Sequence, residues 1–167
     1  MTIEIRPESP NQFREVEALV REAFWNVYTP GCTEHYLLHV MRRSPNFVCE
    51  LSLVVLEDKA IVGQIAFTRA WIACDDGQNR QVLTLGPLSV HPAHQRKGIG
   101  KSLIERACAK ACDMGFAAVL LCGDPLYYAR AGFEPAQKYG VRTQDDQFMD
   151  ALQIRALAIE MLSACAG

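Results

Sequence analysis

Apolar residues recur along this chain at two different periods, and the two periods divide it into helices and strands. Ile3–Arg6 alternates apolar and polar positions and predicts a short strand. Ser9-Pro10-Asn11-Gln12 reads as a helix start, with Ser9 as N-cap, Pro10 at the first helical position and Gln12 completing a capping box. Phe13, Val16, Leu19, Val20, Ala23, Phe24 and Val27 follow at helical spacing until Thr29-Pro30-Gly31. A second helix is predicted from Thr33 to Arg43, ended by Ser44-Pro45.

The middle of the chain switches to β patterning. Leu51–Leu56 is an apolar run, Glu57-Asp58-Lys59 a turn, and Ile61–Ile72 a longer strand, which together read as a hairpin. Asp75-Asp76-Gly77 is the next turn, and Gln81–Val90 a strand interrupted by Gly86-Pro87. Gly98–Met114 is the clearest helix, with Ile99, Leu103, Ala107, Ala111 and Met114 on one face and Gly115 as its stop. Ala117–Cys122 is almost wholly apolar, as a strand buried on both faces would be. Strand, helix and strand make a βαβ unit of about 35 residues. Gly123-Asp124-Pro125 opens a short helix, Gly132 closes it, and Phe133 begins a return strand. Phe148–Ile154 reads as a last strand and Ala156–Cys165 as a C-terminal helix.

Composition narrows the class. The chain has 167 residues, enough for one domain with a real core and too few for two ordinary ones. A formal net charge of −2 gives no reason to expect a nucleic-acid partner. No apolar run approaches the ~18 residues of a membrane span, and Met-Thr-Ile-Glu-Ile-Arg-Pro does not read as a secretion signal. Seven cysteines include no C-x-x-C pair, so they read as free, mostly buried thiols in a reducing cytoplasm and not as a zinc site.

The chemistry concentrates in Val90–Ile104. Gln95-Arg96-Lys97-Gly98-Ile99-Gly100 lies between a strand and an amphipathic helix. Two glycines let backbone approach a phosphate closely, and the N–H groups that open the next helix would point at the anion. A tight turn is the competing reading. The nucleoside-triphosphate loop G-x-x-x-x-G-K-[ST] fails because the first glycine is missing, and the dinucleotide fingerprint G-x-G-x-x-G fails because position 103 is Leu. His91 and His94 flank the loop, but Pro92 between them argues for a turn, and they read as water-facing side chains with no metal.

Val90-His91-Pro92, Gln95-Arg96-Lys97-Gly98-Ile99-Gly100 and Leu103-Ile104 resemble motif A of the GCN5-related N-acetyltransferases. A second landmark is similar too: the apolar run Ala117–Cys122 followed by Tyr128-Ala129-Arg130-Ala131-Gly132-Phe133. Leu85–Val90 and Gly123–Arg130 resemble the YhbS-like branch, over roughly residues 3–154. Ala131 stands where the family often has a larger apolar residue, and the segment after Phe148 is shorter and more helical in pattern than in that branch.

The resemblance implies an α/β fold in a single domain, residues 1–167, with a mixed, mostly antiparallel sheet of six or seven strands and a splayed central strand. It implies acetyl-CoA as co-substrate, no metal, and transfer of the acetyl group to a primary amine of a small molecule or peptide. Pyrophosphate would rest on Gln95, Arg96, Lys97, Gly98, Ile99, Gly100 and Lys101, and pantetheine on the backbone of Leu88, Ser89 and Val90. Tyr128 would be the general acid to the CoA sulfur, with Tyr127 the packing residue beside it. Glu34, His35 and Glu50 are candidates for a base or acceptor contact, each competing with a merely solvated or structural role. Cys122 reads as an inert buried thiol. Another acyl-CoA donor and an acyl-CoA-binding sensor with little turnover are the alternatives. Neither nucleic acid nor membrane is expected as a partner, a homodimer follows by family analogy alone, and the expected compartment is the cytoplasm.

Overall fold

The computed structural model describes residues 3–145 and 147–158. Seven strands form one sheet in the order β1-β2-β3-β4-β5-β7-β6. They are β1 (Ile3–Pro7), β2 (Leu53–Glu57), β3 (Ala60–Ala73), β4 (Asn79–Val90), β5 (Ala118–Cys122), β6 (Glu134–Pro135) and β7 (Leu152–Ala156). The helices are α1 (Phe13–Phe24), α2 (Glu34–Met41), α3 (Ile99–Asp113) and α4 (Pro125–Ala129). The chain divides into two compact units, Met1–Thr68 with Gly86–Ala107 and Arg69–Leu85 with Cys108–Gly167. No helix among the described residues is long and apolar enough to cross a membrane.

In the first unit, β1 pairs antiparallel with β2, and β2 with β3. Asp58 and Lys59 both take positive φ, 50° and 72°, in the two-residue turn between β2 and β3. That double left-handed geometry follows the right-handed twist of the flanking strands. Val16, Leu19 and Val20 of α1 and Leu38 of α2 bury against Val54, Leu56, Ile61 and Ala66 of the sheet. Each such side chain contributes about 1.5–3 kcal/mol on leaving water. On Gly63, a Cβ would meet Ile99 Cγ2 at 3.1 Å and Leu103 Cδ1 at 3.3 Å, so the missing side chain is what lets α3 lie close on β3.

In the second unit, β4 runs parallel to β5 through Leu83↔Val119 and Thr84↔Leu120, short of Gly86-Pro87, and the Gly86-Pro87 peptide is cis. β7 runs antiparallel to both β5 and β6. Val82, Ala117, Ala118, Ala136 and Ile154 form this unit's core.

Several expectations need correction. A single 3₁₀ turn, Pro10–Gln12, precedes α1, and α1 stops at Phe24. Val27 continues the apolar spacing but is 56% exposed, because Trp25 turns extended at ψ 121° and Asn26 follows at φ 57°. A 3₁₀ turn at Cys49–Leu51 replaces the start of the strand predicted from Leu51. Met114 is exposed at the rim, while Ile104 and Cys108 join Ile99, Leu103, Ala107 and Ala111 in the buried face of α3. The return strand is only Glu134–Pro135, and the last strand begins at Leu152, leaving Phe148 and Met149 exposed. Of the predicted C-terminal helix, Ala156 ends β7 and residues 159–167 lie outside the described residues. The cysteines are not uniformly buried free thiols: Cys49, Cys112 and Cys122 are exposed, and Cys74 is disulfide-bonded.

Candidate active site

The first unit carries the anion loop. Val90 ends β4, a 3₁₀ turn spans Pro92–His94, and α3 opens at Ile99. Between them Arg96 and Gly98 take φ 64° and 82°. Left-handed positions within a loop turn successive N–H groups toward one side, which suits an anion. Gly98 has open space where a Cβ would stand, so backbone conformation rather than crowding demands glycine. Ser102 N–H donates to Gly98 O at 3.0 Å and closes the first turn of α3. The N–H groups of Ile99, Gly100 and Lys101 precede that bond and have no intrahelical acceptor. Gln95, Arg96, Lys97 and Lys101 are exposed, and Ile99 and Gly100 are buried. A cavity of ≈ 640 Å³ lies against Gly98, Lys101, Ser102 and Arg106, and another of ≈ 530 Å³ against Arg21, Glu22, Trp25 and His91.

The backbone of Leu88–Val90 is held from β3. Gln64, 1% exposed, donates through Nε2 to Pro87 O and to Ser89 Oγ, both at 3.0 Å. Gln64 was not anticipated as a site residue. It is the one polar side chain in the apolar run Ile61–Phe67, which marks it as unusual but does not say what it faces.

His91 and His94 do not simply face water. His91 Nε2 lies 2.9 Å from Glu22 Oε2, and His94 Nδ1 lies 2.7 Å from Glu57 Oε2. Each pair joins residues far apart in the chain, so spacing could not reveal it. No cluster of metal-ligating side chains occurs among the described residues.

The second unit carries Tyr128. Asp124 caps α4 by accepting the Leu126 N–H at 3.0 Å, which fixes the first turn of this five-residue helix. Tyr128 packs edge-to-face on Phe133, ring centroids 5.7 Å apart, and on Tyr127 at 4.9 Å. Tyr127 was expected to be the packing residue but is 46% exposed, with partial burial pushing its phenol above the usual range. Ala131 is 3% exposed, so the small side chain is part of a closed core. Cys122 is exposed, because it ends β5 at the turn into Gly123.

Gly123 sets the floor under the tyrosine. A Cβ there would stand 2.7 Å from Tyr128 Cε2 and 3.2 Å from Cδ2. Gly123 is itself fixed, donating its N–H to Ala151 O and accepting from Gln153 Nε2, both at 3.0 Å. The ring must therefore give way in Gly123→Ala. If the Tyr128 phenol is the general acid, Gly123→Ala is expected to lower turnover about tenfold by displacing it a fraction of an ångström, with CoA affinity retained. Turnover unaffected by Gly123→Ala, in steady-state kinetics, would detach the tyrosine ring's position from catalysis.

The candidate bases are dispersed. Glu34 opens α2 and accepts the Thr33 N–H at 3.0 Å. His35 Nδ1 lies 3.4 Å from Cys32 Sγ, whose thiol is pushed up first by burial and then by the charge of Glu34. Glu50 is exposed in the turn before β2. Glu34 and His35 thus share one local cluster with Cys32, and no contact joins Glu50 to it among the described residues.

The family model described as "Acetyltransferase (GNAT) domain" matches residues 49–135, just over half of the chain. The uncharacterized N-acetyltransferase YhbS of Escherichia coli (strain K12) is 29% identical over 164 residues, 98% of this chain and 92% of its own length. The crystal structure of E. coli YhbS in complex with CoA superposes with a TM-score of 0.84 at 27% identity, covering 99% of this chain and 87% of that one. A GNAT family acetyltransferase from Brucella melitensis in complex with acetyl-CoA gives 0.75 at 30% identity, covering 93% and 88%. The βαβ unit, its glycine loop and the Tyr128-to-Phe133 segment all fall within the matched residues, and the chain belongs to the GNAT family of acetyltransferases.

Proposed function

We propose that residues 1–167 act as one catalytic domain that transfers the acetyl group of acetyl-CoA to a primary amine of a small molecule or peptide. The observation that carries this reading is the loop Gln95–Lys101, with left-handed positions at Arg96 and Gly98 and free N–H groups at the start of α3. CoA and acetyl-CoA bound to the E. coli and B. melitensis proteins support it. Bound acetyl-CoA supplies an acyl group activated as a thioester. The N–H groups from Arg96 to Lys101 hold its pyrophosphate, with Lys97 and Lys101 adding charge. Backbone groups of Leu88, Ser89 and Val90, kept in place by Gln64, take the pantetheine amides.

The chemistry is direct attack. The amine lone pair forms the C–N bond as the C–S bond breaks, the Tyr128 phenol donates its proton to the departing sulfur, and the proton that the new amide nitrogen sheds passes through water to restore the phenol. The ammonium form of the acceptor must first lose a proton, to water or to a base for which Glu34, His35 and Glu50 are the candidates. The five free thiols among the described residues support a cytoplasmic setting, with the disulfide at Cys74 the feature against it.

Thermal unfolding with CoA and an amine panel with acetyl-CoA test this together. CoA at about 100 times its Kd stabilises the fold by ~2.7 kcal/mol. Release of CoA thiol then depends on the amine added. Stabilisation without acceptor-dependent turnover marks an acyl-CoA sensor. Faster turnover of succinyl- or propionyl-CoA marks another acyl donor. A melting temperature indifferent to CoA sinks all three.

A further inference from the structure

We infer that His91 and His94 are positioning residues of the donor site, fastening the turn between Val90 and Gln95 to α1 and β2 and thereby setting the shape of the anion loop. The inference rests on the loop's proposed role as the acyl-CoA cradle.

His91 begins where the sheet ends. Its N–H donates to Val62 O at 2.8 Å, a last tie between β4 and β3. Its Nδ1 accepts the Ala93 N–H at 3.1 Å. On a neutral ring the proton must then sit on Nε2, the atom 2.9 Å from Glu22 Oε2 on α1. One imidazole thus joins the turn's own backbone to a helix.

His94 fastens the other end of the turn. Its N–H donates to His91 O at 2.8 Å, and its Nδ1 lies 2.7 Å from Glu57 Oε2 at the end of β2. The Glu57 side chain is 9% exposed. The contact is close but lacks the direction of a good hydrogen bond, and neither atom has a hydrogen-bond partner among the described residues. Removing the imidazole leaves a nearly buried carboxylate oxygen with nothing facing it, the expensive way to break a pair. The two rings also meet edge-to-face, centroids 5.6 Å apart.

Gln95 completes the frame by donating through Nε2 to Val90 O at 3.0 Å. The next residue, Arg96, is a non-glycine at φ 64°, a conformation that persists only when its surroundings hold it. The ties at His91, His94 and Gln95 are that surrounding on the N-terminal side. A loop fixed beforehand spares CoA the cost of ordering it.

The test uses the full chain, calorimetric titration with CoA and steady-state kinetics. His94→Ala is expected to weaken CoA binding and raise the KM for acyl-CoA about tenfold, with kcat at saturation unchanged. Glu57→Gln in the His94→Ala background costs little more than His94→Ala alone, as expected of two residues acting as one unit. Should His94→Ala fail to fold, His91→Ala carries the same expectation, since its partner Glu22 is 60% exposed and tolerates being unpaired. Folded variants that bind CoA as tightly as the wild type, or that lose kcat at unchanged KM, overturn the inference. A wild-type chain that does not bind CoA overturns the donor-site reading instead, so the two failures are distinct.

Discussion

If Tyr128 is the general acid, Tyr128→Phe lowers kcat by about 100-fold or more and leaves CoA affinity within about twofold of the wild type, the range expected for loss of a positioned proton donor. Only the phenol oxygen is removed. The ring keeps its edge-to-face contacts with Phe133 and Tyr127 and its seat on Gly123, which hold it in place on α4. A phenol hydroxyl is a suitable proton donor to a departing thiolate. The variant separates two roles that Ala would confuse, because Tyr128→Ala also opens a cavity. Measured kcat equal to that of the wild type removes Tyr128 from the mechanism. Weakened CoA binding of the same size as the kcat loss assigns it to binding.

Arg42→Ala costs about 3–5 kcal/mol of folding stability, read as a drop in the urea midpoint at constant slope. The Arg42 side chain is 6% exposed and faces Glu8, whose own side chain is 2% exposed. One guanidinium nitrogen, Nη2, donates to Glu8 Oε1, and the other, Nη1, to Glu17 Oε1 at 2.7 Å. Ser52 Oγ donates to Glu8 Oε2 at 2.9 Å, and the guanidinium stacks over Phe13 at 4.1 Å. The network therefore ties the end of β1, both N-terminal helices and the turn before β2. Coulomb attraction is not the main reason for the large effect, since much of it is cancelled by desolvation. The cost arises because Glu8 stays buried after its partner has gone. Arg42→Lys recovers only part of the loss, as an ammonium cannot present two parallel donors to two carboxylates. A loss below about 1 kcal/mol would place the network among ordinary surface pairs.

The parts of this molecule that were legible in the sequence are those where one local rule decides. α3 and its loop were legible because helical spacing, two glycines and the stop at Gly115 all agree. The β2–β3 hairpin was legible because a polar turn separates two apolar runs. The end of α1 was not, since Val27 keeps the helical period while the backbone has already turned at Trp25 and Asn26. The last strand was shifted because residues 140–151 carry little patterning, and pairing of β7 with β5 decides where it begins. At the candidate site, Gln95–Gly100 could be singled out from its glycines and cations between a strand and a helix, and Tyr128 only from the family resemblance. Glu22, Glu57 and Gln64 could not be placed there, because only folding brings α1, β2 and β3 behind the loop.

The exposed cysteines have a practical consequence. Cys49, Cys112 and Cys122 stand open to reagents, while Cys108 is buried. A disulfide reagent used to read released CoA will also label the enzyme. That labelling scales with enzyme concentration and saturates, whereas catalysis scales with time and with acceptor. A progress curve should therefore show an acceptor-independent burst followed by a slope, and only the slope measures acetyl transfer.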